Sequence, residues 1–151
     1  MIASSSTRVI DNTQPAVNDR IRRRTERSIA RCLADGPAAI ERRLHELDHE
    51  WDVERVLETL APTFTLTGVL LGLTVRRRWF AVPLVINSFL IQHALDGWCP
   101  PLPILRRLGF RTTEEIDRER YALKALRGDF DSLPHDNDQC AVREAIAAVD
   151  L

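Results

Sequence analysis

The chain is predicted to be all-α: a two-helix hydrophobic hairpin, read as transmembrane, with flanking amphipathic helices. Three observations predict this. No stretch alternates apolar and polar residues with the period of a strand, whereas apolar positions recur at helical spacing in several segments. Two uncharged runs, Thr59–Val75 (TLAPTFTLTGVLLGLTV) and Trp79–Leu95 (WFAVPLVINSFLIQHAL), each seventeen residues long, are separated only by Arg76, Arg77 and Arg78. Glycines, prolines and capping residues stand at the borders of the helical segments, where they stop and start helices.

Composition is ordinary for a globular chain, with 44% hydrophobic and 28% charged residues in 151, but the charges are segregated. Residues 8–31 carry seven Arg against three acids, residues 35–58 eight acids against three Arg, and residues 76–111 six Arg against one Asp. The three cysteines, Cys32, Cys99 and Cys140, form no CxxC pair, so neither a disulfide framework nor a zinc knuckle is expected. The first fifteen residues lack an apolar stretch of the signal-peptide kind, and residues 1–17 are expected to be a disordered or loosely held tail.

The first helix is expected from Asn18 or Asp19, either of which can cap it, and Asp35-Gly36 should end it. Its apolar positions Ile21, Ile29 and Cys32/Leu33 are sparse and the rest is largely arginine. Such a narrow stripe should lie on another part of the molecule. Pro37 opens a second helix, tolerated because a first-turn N–H has no helical partner. Ile40, Leu44, Leu47 and Trp51 then form one stripe at spacings of four, three and four. These basic and then acidic amphipathic helices occupy residues 18–58.

The hairpin follows over residues 59–98. Crossing a hydrocarbon core of about 30 Å needs roughly 17–25 helical residues, and both runs reach the lower edge. Trp79 and Trp98 bracket the second run, and tryptophan favours membrane interfaces. Arg76, Arg77 and Arg78 cap the reversal, from which long side chains can reach headgroups. Ala61, Thr65, Gly68 and Gly72 make a stripe of small residues, the kind on which helices associate closely in lipid, so a homodimer or tight helix packing is expected there. Asn87, Ser88, Gln92 and His93 argue the other way, for two core helices of a soluble, cytoplasmic bundle.

Residues 99–130 read as a Pro-rich exit and an amphipathic helix. In Asp96-Gly97-Trp98-Cys99-Pro100-Pro101, Gly97 ends a helix, Trp98 anchors at the interface, and the prolines favour an extended departure. Leu102, Ile104, Leu105 and Leu108 return an apolar edge to the surface, with Arg106 and Arg107 among headgroups. Thr112-Thr113-Glu114-Glu115 opens the next helix with a capping box, and Gly128 should stop it. Residues 131–151 hold a short last helix, near Asp138–Val149.

Asn18 with its arginines, the two apolar runs, Gly97-Trp98-Cys99-Pro100 and the closing Leu108-Gly109 resemble the bacterial YgaP-like transmembrane domain family over about residues 18–111. The resemblance implies a two-helix hairpin in the inner membrane, which in that family is sometimes found behind a rhodanese sulfurtransferase domain and in that setting forms a homodimer. The chain departs from it in carrying LDHEWDVERVLE and RERYALKALRGDF with a tail. No rhodanese loop is present, so sulfurtransferase activity would have to come from a protein partner, with Cys99 as a surface carrier of sulfur. Both termini are expected in the cytoplasm.

Other functions find less support. Cys99 follows a helix C-terminus, whose dipole disfavours a thiolate. His93, Asp96 and Cys99 lack a fourth metal ligand. His45-Glu46-Leu47-Asp48-His49 matches HExxH literally, which would put a metal on His45 and His49 beside Glu46, but no third ligand follows at a convincing spacing. Arg20, Arg23, Arg24, Arg27 and Arg31 cluster at helical spacing without aromatic partners for bases, so pairing with the acidic helix at 41–58, or with anionic lipid, is expected rather than nucleic acid. No cofactor is expected, and the role is structural or accessory rather than enzymatic.

Overall fold

The structure is a computed structural model that describes residues 7–131. The expected C-terminal helix near Asp138–Val149, Cys140 and the first six residues of the expected tail lie outside the described residues. Within them the chain is helical without strands: α1 (Arg8–Asp11), α2 (Pro15–Asp35), α3 (Pro37–Asp48), α4 (Val53–Thr74), a 3₁₀ turn (Arg77–Phe80), α5 (Ala81–Asp96), α6 (Leu102–Leu108) and α7 (Thr113–Arg127). Two compact units divide it, Met1–Arg24 with Trp51–Ile116 and Thr25–Glu50 with Asp117–Leu151.

In the first unit the core is formed by Val9, Val53, Val56, Leu57, Cys99, Leu102 and Leu105, with Phe110 packed against it. Val9 corrects the expected loose tail: α1 is docked, and Val9, Thr13 and Val17 are all buried. The reason is a set of polar clamps. Asn12 donates to the Asp96 carbonyl at 2.7 Å, and Asn18, expected to cap a helix, instead donates from Nδ2 to the Ile10 carbonyl at 2.9 Å. Helix α2 therefore begins earlier, at Pro15, where proline suits a first turn.

In the second unit Cys32, Ala39, Ile40, Leu44, Leu47 and Leu123 are buried. Ion pairs fasten α3 to α7: Arg43 to Glu119 at 2.9 Å, Arg120 to Asp48 at 3.2 Å and Arg127 to Glu41 at 2.6 Å. Arg43 also pairs with Glu46 and Glu50 of its own segment. Among the described residues Glu41, Glu46, Asp48, Glu50 and Glu119 thus pair with arginines of α3 and α7, not with those of α2.

The stripe of the second helix ends sooner than its spacing predicts. Helix α3 stops at Asp48, and Trp51 is exposed with the Arg55 guanidinium stacked 4.8 Å from its ring centre. Asp52 is the cause. Its carboxylate accepts from the Arg55 amide at 2.6 Å and so caps a new helix, a geometry that requires extended backbone at position 52. The other carboxylate oxygen accepts from Thr113 Oγ1 at 2.9 Å, tying the start of α4 to that of α7. Asp52→Ala is expected to lower stability by about 1 kcal/mol, with Asp52→Asn closer to wild type; thermal unfolding of the two variants checks this.

Candidate membrane-facing site

Helix α4 has 22 residues, and α5 follows the 3₁₀ turn with 16. Their contact is made by small residues. A Cβ on Gly68 would lie 2.7 Å from Pro83 Cδ and 3.0 Å from Val82 Cβ, and one on Gly72 would lie 3.0 Å from the Phe80 ring. Further along, Asn87 Nδ2 donates to Thr65 Oγ1 at 3.1 Å. Rising numbers on α4 meet falling numbers beyond it, so the two segments run antiparallel. Ala61, Gly68 and Gly72 are buried and Thr65 is half-buried. The small-residue stripe is therefore occupied within the chain, where glycine lets backbones approach.

The opposite faces are uncovered. Leu66, Leu70 and Leu73 on α4 and Leu84, Val85, Phe89, Ile91 and Leu95 on α5 are all exposed. Among the described residues one helical stretch, within Pro37–Thr74, is long and apolar enough to cross a membrane, and only 22% of its apolar window is buried.

Several hydroxyl and amide side chains on these helices bond to their own chain. The hydroxyls of Thr59, Thr63, Thr67 and Thr74 donate to the carbonyls of Arg55, Thr59, Thr63 and Leu70 at 2.7–2.8 Å. Ser88 donates to the Leu84 carbonyl at 2.8 Å and Asn87 to that of Pro83 at 2.7 Å. Each bond runs to the residue four positions earlier, the pattern by which a short polar side chain hides its hydrogen-bonding capacity against its own helix. Asn87 and Ser88, which argued for a soluble bundle, thus spend their donors within the chain.

The expected interface anchors stand at both ends of the pair. Arg76, Arg77 and Arg78 are exposed and Trp79 is half-buried, while Trp98 is exposed just beyond α5. Gly97 does end α5, with φ at 77°. A Cβ there would also meet the Arg8 carbonyl carbon at 2.7 Å, so glycine is required by both backbone conformation and close approach.

The prolines that follow do not extend the chain. Pro101 precedes and Pro103 lies within the first turn of α6, positions where a missing N–H leaves no gap. This helix buries Arg106, which was expected among headgroups and is only 1% exposed. All five N–H donors of its guanidinium are used. Nε donates to Thr13 Oγ1 at 3.2 Å, Nη1 to the Phe110 carbonyl at 3.0 Å and Glu115 Oε2 at 2.6 Å, and Nη2 to Asn18 Oδ1 at 2.9 Å and Glu115 Oε1 at 2.8 Å. Glu115 is itself the third helical residue of the capping box: its Oε2 accepts from the Thr112 amide and its amide donates to Thr112 Oγ1. Sequence reasoning found the box and missed its second use. The only signal was the coincidence of Asn18, Arg106 and Glu115 as residues able to form a complete fork.

Cys99 lies in the apolar core at 3% exposed. Burial pushes its thiol up, with the Leu102 amide opposing more weakly. A reactive thiol needs the opposite, a depressed value and access. Neither Cys99 nor Cys32, also buried, is expected to react with a thiol reagent before the protein unfolds. Native labelling of Cys99 in a Cys140→Ala chain would refute this.

The residues weighed for a metal are scattered in role. His49 lies just past the end of α3, its Nδ1 3.0 Å from the His45 carbonyl. Glu46 is paired with Arg43. Among the described residues no group of three or more His, Cys, Asp or Glu side chains is placed to hold a metal ion. His93 is buried, and among the described residues neither ring nitrogen has a protein partner.

No family model, curated protein or solved structure matches the chain, so the likeness carried by Gly97–Pro100 and its surroundings stands on those residues alone.

Proposed function

We propose that the chain is a small membrane-embedded structural or accessory protein, in which α4 and α5 form a hairpin across the bilayer. The exposed outward faces of the two helices carry this reading. Burying one leucine-sized side chain is worth about 1.5–3 kcal/mol. Leaving the eight named residues in water therefore forfeits on the order of 10 kcal/mol, comparable with the whole stability of a domain. Contiguous apolar faces of this kind mark an interaction surface. Lipid suits them because the hydroxyls among them bond to their own helices, as a bilayer interior demands. In the rival reading, a soluble bundle, the flanking helices would have to wrap these faces.

The small-residue stripe fits close packing of α4 on α5. A homodimer through the same stripe would have to part the two helices. An even number of crossings puts both flanks on one side, which we assign to the cytoplasm of a bacterial inner membrane. The buried Cys99 gives no support to sulfur relay.

Fractionation tests the reading. The full chain is expected in the membrane pellet after carbonate washing, and to need detergent to stay monodisperse. A carbonate-soluble chain that remains dispersed in plain buffer would overturn it.

A further inference from the structure

Helix α6 is apolar on two faces. Its inward residues are Leu102, Leu105 and the Arg106 guanidinium, and its outward residues include Ile104 and Leu108, exposed at 62% and 69%. These two stand one turn apart on a single stripe. A helix facing water carries one apolar stripe, turned inward, whereas α6 carries a second one outward. Leu95 near the end of α5 and Trp98 just after it are exposed as well.

Cations frame this surface. Arg107 is exposed beside Leu108 and meets the neutral Gln14 side chain at 3.5 Å. Arg24 brings Nη1 to 3.3 Å from where a Cβ on Gly109 would lie, immediately after Leu108. Arg20 is exposed one turn earlier on α2. Among the described residues Arg20, Arg24 and Arg107 have no carboxylate partner.

We propose that this face of α6 lies in the headgroup layer of the membrane, with Ile104, Leu108 and Trp98 toward the acyl chains and Arg20, Arg24 and Arg107 on the phosphates of anionic lipids. The inference rests on the hairpin reading and adds a lipid class to it. Its two supports are independent. An apolar stripe with cations along its rim is the pattern of a helix lying in the interface plane. Guanidiniums beside that stripe with no carboxylate partner among the described residues complement the negative surface of anionic bilayers.

The test uses the full chain with Cys32, Cys99 and Cys140 replaced by alanine, carrying one nitroxide at Leu108→Cys or at Leu70→Cys. It is reconstituted in phosphatidylcholine, alone or mixed with phosphatidylglycerol. Collision with oxygen, which concentrates in lipid, is compared with collision with a water-soluble nickel chelate. The label at 70 is expected to be lipid-like in both bilayers. The label at 108 should favour oxygen with phosphatidylglycerol present. That preference should fall several-fold in phosphatidylcholine alone and in Arg24→Gln/Arg107→Gln, with the label at 70 unchanged. A label at 108 as open to the chelate as free nitroxide, with 70 still lipid-like, overturns the α6 placement and leaves the hairpin standing. Oxygen preference at 108 that ignores both lipid charge and the two substitutions overturns the anionic-lipid assignment. A water-like label at 70 overturns the hairpin reading and this inference together.

Discussion

Arg106→Leu is expected to lower stability by about 3–5 kcal/mol, the usual loss when one member of a buried ion pair is removed. The substitution leaves the Glu115 carboxylate, 12% exposed in its side chain, without its bidentate partner, and strips Asn18 Oδ1, Thr13 Oγ1 and the Phe110 carbonyl of a donor. Arg106→Lys should recover part of the loss, because an ammonium keeps the charge but cannot fill five directions at once. The double variant Arg106→Leu/Glu115→Leu should be less destabilised than the sum of its parts, since neither charge is left alone. In a thermal melt in detergent the single variant should unfold roughly ten degrees lower or more. A loss under about 1 kcal/mol would show that the fork contributes little, against the expectation for a buried pair.

The same pair carries a pH dependence. Burial on its own would raise the Glu115 carboxyl. The Arg106 hydrogen bonds, the Thr112 amide and the charges of Arg106 and Arg111 together outweigh it and hold the group below its ordinary value of 4.5. A folded value below the unfolded one means that the unfolded chain binds the proton more readily. The stabilisation is therefore complete above the ordinary carboxylate range and is lost as pH falls through the folded value. The stability gap between wild type and Arg106→Leu should narrow on acidification below about pH 4.5, and a gap that widens would contradict the assignment.

Gly68→Leu is expected to part α4 from α5. Even alanine places a carbon 2.7 Å from the Pro83 ring, closer than packed carbons tolerate, and proline beside Val82 has little freedom to yield. Overpacking of this kind costs about 1–3 kcal/mol for a small excess and more for a large one, so Gly68→Ala should be intermediate. Gly72→Ala should be milder, because the contacting group is the Phe80 ring at 3.0 Å, which can swing aside. The readout is a short thiol cross-linker between Thr65→Cys and Asn87→Cys, positions joined by a hydrogen bond of 3.1 Å. Cross-linking should be intrachain and independent of protein concentration, and Gly68→Leu should abolish it. Dimeric products that grow with concentration would instead assign the stripe to contact between copies.

Local chemistry made much of the helix plan legible. Gly36 and Gly128 stop α2 and α7 with φ of 88° and 89°, and Pro37 opens α3, because a positive φ or a missing N–H dictates backbone shape without reference to the rest of the molecule. The capping box at Thr112 is of the same kind. Trp51 was misread because two rules compete there. Its spacing continues the α3 stripe, yet the Asp52 cap one residue later restarts the helix, and a formed hydrogen bond prevailed over periodicity. The docked α1 was missed because Arg8–Asp11 is too short to show a period, and its placement depends on Asn12 and Asn18 bonding to distant carbonyls.

The amino-acid sequence by itself determined an all-helical chain, its two long apolar runs, and several places where helices begin and end. Those depend on backbone preferences and on the ordering of apolar and polar residues, both of which act over a few positions. Only the tertiary structure decided which of two adjacent arginines is buried and which is exposed, and that the small-residue stripe meets Val82 and Pro83 of its own chain. Arg106 and Arg107 are chemically identical, so their fates turn on whether acceptors from three other segments converge on one and not the other. Glycine at position 68 permits a close approach but does not name the partner that makes it.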